Sequence, residues 1–347
     1  MSYKFCINGR FMTRPITGVD RFAREIVQGL DKLVSPGFMC MVVPGSSSVV
    51  EPLELKNIPV IPLGSRGGQL WEQLDFARYV RKQKATAVNL CNTAPFFNTG
   101  IVNIHDMNIR ANPSYYSKQF VWLYRLMFSF LTRNARVVLT VSEFSRKEIE
   151  RYYPLARNRV QIVPNAWQHI NRVDQDVRIL ERLGLEPGGF YFAMSSLAPN
   201  KNLKWLVETA NMNPSDVFVI AGGANPKVFG ENEIPQAENV VYCGYVQDSE
   251  AKALLSNCKA FLYPTFYEGF GIPPMEALAC DAPIVVSDTE VMHEIYGDSA
   301  CYIDPTVPCA LGQSAFSAER AQEVLRAYDW QKSAQRLLDI CQDLVKQ

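Results

Sequence analysis

Two acidic residues flank a glycine-rich turn within Tyr267–Ala279, where the residue types are well suited to binding chemistry. Glu268 lies on a loop after a predicted strand, and Glu276 lies in the first turn of the predicted helix that follows. Gly269 and Gly271 let the backbone approach a ligand closely, and free amides at a helix start bind anions. A carboxylate accepts two hydroxyls at once, so this spacing suits two sugar rings on either side of a phosphate. The alternative is an ordinary helix start, in which Glu276 favours the helix dipole.

The elements that must position these residues alternate along the chain. Short apolar runs are separated by amphipathic helical patterns, which predicts an α/β protein with parallel sheets covered on both faces. Strands are predicted at residues 38–43, 60–63, 87–90, 101–105, 137–141, 160–163, 191–194, 217–221, 240–242, 260–263, 284–287 and 301–303. Two such arrays predict two doubly wound domains, joined within the polar segment 166–189.

Charge separates the same two halves. The chain has 35 Lys and Arg and 35 Asp and Glu; residues 1–170 hold 22 basic and 11 acidic residues, and residues 171–347 hold 13 and 24. A neutral chain argues against a protein that coats nucleic acid, so no nucleic-acid partner is predicted. The nine cysteines form no C-x-x-C pair and there are three histidines, so we expect reduced thiols and no metal. Neither a signal peptide nor a transmembrane helix is predicted.

The pair Glu268 and Glu276 resembles the E-x7-E arrangement of retaining glycosyltransferases of family GT4 (glycosyl transferases group 1), which have the GT-B fold. The similarity covers nearly the whole chain and is most specific over residues 190–305. The other matching segments include 17–22, 104–106, 141–145, 163–165, 195–202, 221–223, 243–246, 260–265 and 282–287.

The resemblance implies a GT-B architecture, with two doubly wound Rossmann-like domains whose parallel sheets face each other across a cleft. Residues 1–168 are expected to form the acceptor-binding domain, and residues 169–329 the domain that binds the nucleotide-sugar donor. The final helix, 330–347, is expected to pack back onto the first domain.

Carried onto matching positions, the resemblance also implies a donor site in the second domain. Lys201 would lie against the diphosphate, where a fixed ammonium stabilises charge that grows in the transition state. Glu276 would hold the ribose hydroxyls, and Glu268 would contact the transferred sugar. Many relatives have an arginine where this chain has Ser196. The donor-binding set is completed by Gly18, Ser196, Tyr245, Val246, Gly269, Phe270, Gly271 and Ile272.

The first domain contributes two residues to this implied site. His105 closes a predicted strand and would face the donor sugar, so the expected catalytic residues are Glu268, His105 and Lys201; a satisfied structural histidine is the alternative. Gly18 begins the first long helix, whose amides would reach the diphosphate, unless it is an ordinary turn glycine. The family works without a divalent metal, so neither metal nor cofactor is expected.

A helical stretch between residues 110 and 136 combines basic and aromatic side chains without an acidic residue. Such a helix suits an anionic bilayer surface or a lipid-linked acceptor, although a core helix with a solvated basic face shows similar spacing. The predicted surface consists of Arg110, Lys118, Trp122, Arg125 and Arg133, and a second basic cluster consists of Arg78, Arg81, Lys82 and Lys84.

The resemblance and the charge pattern together imply a retaining glycosyltransferase that works on the cytoplasmic face of the inner membrane as a peripheral protein. It would move a sugar from a UDP- or GDP-linked donor to a saccharide acceptor. A polyprenyl-diphosphate-linked glycan of bacterial O-antigen or capsule synthesis is the expected acceptor. The alternatives are a catalytically inactive partner that binds nucleotide sugars and a sugar-nucleotide epimerase of the same architecture.

Overall fold

The computed structural model describes residues 3–194, 198–222, 237–312 and 317–346. The chain divides into unit 1, Met1–Asn165 with Trp330–Gln347, and unit 2, Ala166–Asp329. The structure divides the chain after residue 165, whereas the sequence predicts that the first domain ends at residue 168. The reason is that the side-chain nitrogens of Trp167 and Gln168 donate hydrogen bonds of 2.8 and 3.0 Å to the carbonyl oxygens of Leu325 and Tyr328 in unit 2.

A seven-stranded parallel sheet forms the centre of unit 1, in the order β3-β2-β1-β4-β5-β6-β7. Its strands are β1 (Phe5–Asn8), β2 (Met39–Pro44), β3 (Val60–Leu63), β4 (Thr86–Asn89), β5 (Ile101–Asn103), β6 (Val137–Thr140) and β7 (Val160–Ile162). The strand order reverses between β1 and β4. The sequence patterns predict no strand over Phe5–Asn8, which is wrong because this short run becomes a strand through its pairing with both β2 and β4.

Helices cover the sheet of unit 1. They are α1 (Gly18–Leu33), α2 (Gly68–Leu70), α3 (Ala77–Gln83), α4 (Asn108–Ala111), α5 (Lys118–Asn134), α6 (Glu143–Tyr152) and the C-terminal α13 (Trp330–Lys346). A π-helical turn, Trp71–Phe76, joins α2 to α3, and 3-10 turns lie at Gly9–Thr13, Pro113–Tyr115 and Pro154–Ala156.

The C-terminal helix α13 packs closely on α1. The ring of Trp330 lies 6.1 Å from that of Phe22, and a Cβ added to Gly29 would lie 2.5 Å from Cβ of Ala334. The Ser333 hydroxyl also donates to the carbonyl oxygen of Pro164, at 2.8 Å. The last segment of the chain is thereby part of the core of unit 1, where a glycine at position 29 permits the close approach of two helices.

Unit 2 repeats the architecture with six described parallel strands, in the order β10-β9-β8-β11-β12-β13. The strands are β8 (Phe190–Met194), β9 (Val217–Ala221), β10 (Val240–Gly244), β11 (Ala260–Tyr263), β12 (Ile284–Ser287) and β13 (Cys301–Ile303). The order reverses between β8 and β11. The predicted α/β class with two doubly wound parallel sheets is thus confirmed.

The described helices of unit 2 are α7 (Arg178–Leu183), α8 (Leu203–Met212), α9 (Asp248–Asn257), α10 (Ile272–Ala279), α11 (Glu290–Tyr296) and α12 (Ala318–Ala327), with 3-10 turns at Ile170–Arg172, Pro199–Lys201 and Gly297–Ser299. Across both units, the described residues contain no helix with the length and apolar character needed to cross a membrane.

Candidate active site

The loops that follow β8 and β11 lie against each other at the carboxyl edge of the unit 2 sheet. The backbone amide of Phe266 donates to the carbonyl oxygen of Asn200 at 2.9 Å. The side-chain amide of Asn202 donates to the carbonyl oxygen of Pro264, also at 2.9 Å. In open α/β sheets, ligands bind in the crevice where the strand order reverses, which here is the gap between β8 and β11. The two segments that the sequence selects therefore meet at the expected place.

Lys201 and Glu268 form an ion pair within this crevice. Lys201 Nζ donates to Glu268 Oε1 at 2.6 Å and to the Tyr263 hydroxyl at 3.1 Å, and its side chain is 26% exposed. Burial alone would lower the pKa of Lys201, but the Glu268 carboxylate and Tyr263 outweigh it, so the pKa is raised. Burial raises the pKa of Tyr263. A permanently charged ammonium is therefore fixed beside a carboxylate.

Gly271 shapes the start of α10. Its φ of 90° is in the left-handed region, and an added Cβ would lie 2.9 Å from Cε of Met292 and 3.4 Å from the Tyr263 ring. The Tyr296 hydroxyl donates to its carbonyl oxygen. Because Pro273 and Pro274 have no N–H, only Ile272 and Met275 of the first four helical residues carry amide donors. The start of α10 therefore offers an anion fewer amide donors than a helix without prolines would.

Glu276 lies in the second turn of α10, not in the first, because the helix begins at Ile272. The prediction of a first-turn position is wrong, and the explanation that it serves the helix dipole loses its basis, since that effect falls off within the first turn. Its Oε1 instead lies 2.6 Å from Nε2 of His169. The Glu276 side chain is 16% exposed and that of His169 is 3% exposed, so a buried imidazole holds a carboxylate that still faces solvent.

The remaining predicted donor residues of unit 2 lie on the loop after β11 or follow another strand of the same sheet. Phe270 is buried, with its ring 5.2 Å from that of Tyr328, and Gly269 precedes it on the loop. Tyr245 and Val246 come directly after β10, and Tyr245 is exposed. Ser196 lies outside the residues that the structure describes.

In unit 1, His105 follows β5 at the carboxyl edge of the sheet. Its Nε2 lies 2.9 Å from the carbonyl oxygen of Leu90 and 2.8 Å from the Asn103 side-chain amide, and its ring lies 5.0 Å from that of Phe22. Burial lowers its pKa to about 4, so the imidazole is neutral near pH 7. His105 is suited to a polar contact rather than to carrying charge.

Gly18 is the first residue of α1 and is exposed. The buried carboxylate of Asp20 accepts from the backbone amide of Thr17 at 3.1 Å and from Arg14 Nε at 2.6 Å. These contacts fix the turn that leads into the helix.

Four of the five residues in the predicted membrane surface are exposed on α5: Lys118, Trp122, Arg125 and Arg133. Arg110 differs, because it is half-buried with its guanidinium 5.1 and 5.6 Å from the ring centres of Tyr152 and Tyr153. Its cation–π contacts with two aromatic rings distinguish it from the other four, and its place in the predicted surface stays a prediction.

Sequence reasoning missed two residues of the unit 2 site. Tyr263 is the last residue of β11, and its strand-end position was the available signal. His169 carries no local signal, because Glu276 is 107 residues away in the chain.

Two protein-family models match the chain. The family model described as glycosyl transferases group 1 matches residues 181–312, and that described as glycosyltransferase family 4 matches residues 16–167. O-antigen chain mannosyltransferase B of Escherichia coli is 29% identical over 217 residues, which are 59% of this chain and 57% of that protein. O-antigen chain mannosyltransferase RfbU of Salmonella typhimurium is 25% identical over 221 residues, covering 62% and 59%. The matches therefore span less than two thirds of either relative.

Solved structures resemble the chain over its whole length. A sucrose-phosphate synthase from Thermosynechococcus elongatus has a TM-score of 0.76 at 14% identity, with all of both chains covered. HepE of Anabaena, solved with UDP and glucose, has a TM-score of 0.70 at 16% identity, covering 98% of this chain and 99% of that one. These similarities confirm the GT-B class of fold.

Proposed function

We propose that the chain is a glycosyltransferase, because its two halves match the family models described as glycosyl transferases group 1 and glycosyltransferase family 4. Its donor is a UDP- or GDP-linked sugar, and its acceptor is a saccharide. The Lys201–Glu268 pair at the reversal between β8 and β11 carries this proposal. A diphosphate leaving group needs a fixed positive charge, and a sugar beside it needs a hydrogen-bond acceptor for its hydroxyls; the pair supplies both within one contact.

The leaving group is stabilised in two ways. As the bond between the anomeric carbon and the diphosphate oxygen breaks, the diphosphate takes the electron pair, and the Lys201 ammonium offsets the growing charge. The amides of Gly271 and Ile272 at the start of α10 add further donors. These groups supply the positive charge that a divalent cation provides elsewhere, so we propose transfer without metal or cofactor.

The acceptor oxygen attacks the same face that the diphosphate leaves, with retention of configuration. Its proton passes to a phosphate oxygen of the departing group, which balances the exchange. Glu268 is not a covalent nucleophile in this scheme, because the acceptor oxygen attacks the anomeric carbon directly. Instead it binds a hydroxyl of the transferred sugar, while Glu276 binds the ribose.

The acceptor is proposed to be a polyprenyl-diphosphate-linked glycan of O-antigen or capsule synthesis, used at the cytoplasmic face of the inner membrane. The names of two relatives, both O-antigen chain mannosyltransferases, support this setting and make mannose the first sugar to test. The basic side chains of α5 are consistent with a lipid-linked acceptor.

The test is to incubate the full chain with nucleotide-linked mannose, glucose and N-acetylglucosamine and with lipid-linked glycans, with and without a chelator. Mass spectrometry of the glycan and release of the nucleoside diphosphate report transfer. We expect both products from one donor, equally in the presence of chelator. Binding of a donor without transfer to any acceptor would instead support an inactive partner. Interconversion of the donor sugar would support an epimerase.

A further inference from the structure

The exposed side of α5 carries an unusual row of large apolar residues. Trp122 is 65% exposed, and Leu123, Leu126 and Phe130 are exposed on the same side of the helix, three to four residues apart. Lys118, Arg125 and Arg133 lie among them, all exposed. A folded protein rarely exposes a continuous apolar patch of this kind unless a partner or a membrane covers it.

This row continues into a groove of about 600 Å³ at the amino edge of the unit 1 sheet. Phe96 and Phe130 form one wall, with their rings 4.9 Å apart and nearly perpendicular. Phe97 stands beside them and is 81% exposed. The loop that carries both phenylalanines returns from the end of β4 to the start of β5, which places its aromatic side chains next to the last turns of α5.

Positive charge surrounds the groove. Lys84 and Arg136 line it, and Arg136 also donates to the Thr86 hydroxyl and to the carbonyl oxygen of Leu344. Among the described residues that line the groove, none is acidic. Lys84 belongs to the second basic cluster that the sequence shows, so the groove joins that cluster to the α5 surface.

We propose that this face docks onto an anionic phospholipid bilayer, with Phe97 and the apolar row of α5 inserted among the acyl chains and a lipid phosphate held between Lys84 and Arg136. Apolar side chains ringed by cations suit the boundary between headgroups and acyl chains. The positive charge favours anionic headgroups over a second copy of this chain, because two such faces would repel each other.

This inference rests on the proposed function, because an enzyme that uses a lipid-linked acceptor must reach the membrane. Vesicle binding can nevertheless be measured without a donor and without transfer. The full chain is floated with vesicles of phosphatidylcholine containing about one-third phosphatidylglycerol, and with vesicles of phosphatidylcholine alone. We expect binding to the anionic vesicles that weakens at high salt, and much weaker binding to the neutral ones.

Two variants with matched controls locate the surface. Phe97→Ser should weaken partition into anionic vesicles at least about tenfold, because the ring no longer leaves water. Lys84→Gln should weaken it about fivefold, the usual effect of one cation near the surface. Met212→Ser removes an exposed apolar side chain of α8 and Lys204→Gln removes an exposed lysine of the same helix, and both should bind like the wild type.

Three results would overturn the proposal. They are equal binding to neutral and anionic vesicles, wild-type binding by both Phe97→Ser and Lys84→Gln, and no vesicle binding at all. Dimerisation that Phe97→Ser abolishes, without vesicle binding, would assign the face to a second copy instead. Circular dichroism tests whether each variant is folded. A variant that loses vesicle binding but keeps a normal transfer rate in solution would show that this surface binds the membrane and takes no part in the reaction.

Discussion

His169 Nε2 lies 2.6 Å from Oε1 of Glu276, and this contact fixes one oxygen of a carboxylate that sequence reasoning alone assigned to the nucleotide ribose. We predict that His169→Ala weakens binding of a nucleoside diphosphate about tenfold, since a hydrogen bond to a charged group contributes about 1.5–3 kcal/mol. Isothermal titration calorimetry measures the effect. His169→Gln, which retains a nitrogen donor, should recover part of the affinity.

A 2′,3′-dideoxy nucleotide supplies the control for this prediction. It lacks the hydroxyls that Glu276 would bind, so His169→Ala should leave its affinity unchanged. Equal losses for both nucleotides would mean that His169 supports the fold of the site rather than the orientation of Glu276.

Glu268→Gln distinguishes binding of the transferred sugar from binding of the diphosphate. The variant keeps the shape of the side chain but no longer neutralises Lys201, so a bare nucleoside diphosphate should bind at least as tightly as to the wild type. Transfer should fall about tenfold or more, because a contact to the reacting sugar is weakened. Calorimetry and turnover measured on the same preparation decide the matter. A loss of diphosphate affinity equal to the loss of turnover would contradict the assigned role.

Lys201→Ala should lower kcat about 100- to 1,000-fold, because the ammonium matters most when the diphosphate carries its full charge. Lys204→Ala, three residues further along the chain and within α8, is the matched control. It should retain wild-type turnover, since its exposed ammonium pairs with Glu208 across one helical turn at 3.5 Å. Steady-state kinetics of both variants measure the difference. Similar kcat values for the two would remove Lys201 from the reaction.

His105 gives unit 1 a stability that depends on pH. Its pKa is lowered to about 4 in the folded protein, whereas an unfolded histidine titrates near 6.5. The unfolded chain thus binds more protons between these values, so the stabilisation is complete above about pH 6.5 and falls by about 3 kcal/mol as the pH drops to 4. Urea unfolding of His105→Gln should show a flatter pH dependence across this window.

Gly29 tests the packing of the C-terminal helix. Gly29→Ala places a Cβ 2.5 Å from Cβ of Ala334, and neither short side chain can move aside, so we predict a loss of about 1–3 kcal/mol in the free energy of unfolding. Gly67→Ala meets no atom within 4 Å and should unfold like the wild type. Urea titration of both proteins provides the comparison; unchanged stability of Gly29→Ala would argue against close contact between α1 and α13.

Much of the fold could be predicted because buried parallel strands leave a direct trace in sequence. Residues 217–221, 260–263 and 284–287, for example, are strands with the predicted bounds. The strand Phe5–Asn8 was not predicted: its apolar run, Phe5 to Ile7, is only three residues long, and pairing with β2 and β4 completes it. The limits of α10 depend on the left-handed backbone of Gly271, so that Glu276 is the fifth helical residue and begins the second turn.

In the candidate site, too, some contacts could be predicted from the sequence and others could not. The meeting of residue 201 with residue 268 follows from strand-end positions and a reversal of strand order, both of which sequence patterns indicate. The contact of Glu276 with His169 depends on how the first residues of unit 2 cross its surface, and no periodicity encodes that path. The surroundings of Arg110 were equally unpredictable, because the aromatic rings that contact its guanidinium come from the end of α6 and the residue that follows this helix.

The most direct measurement is a crystal structure of the chain with a nucleotide-sugar donor bound. We predict diphosphate oxygens within about 3 Å of Lys201 Nζ and of the amides of Gly271 or Ile272, with the ribose against Glu276. A diphosphate bound away from the loops after β8 and β11, with the contact between Lys201 and Glu268 undisturbed, would contradict the account.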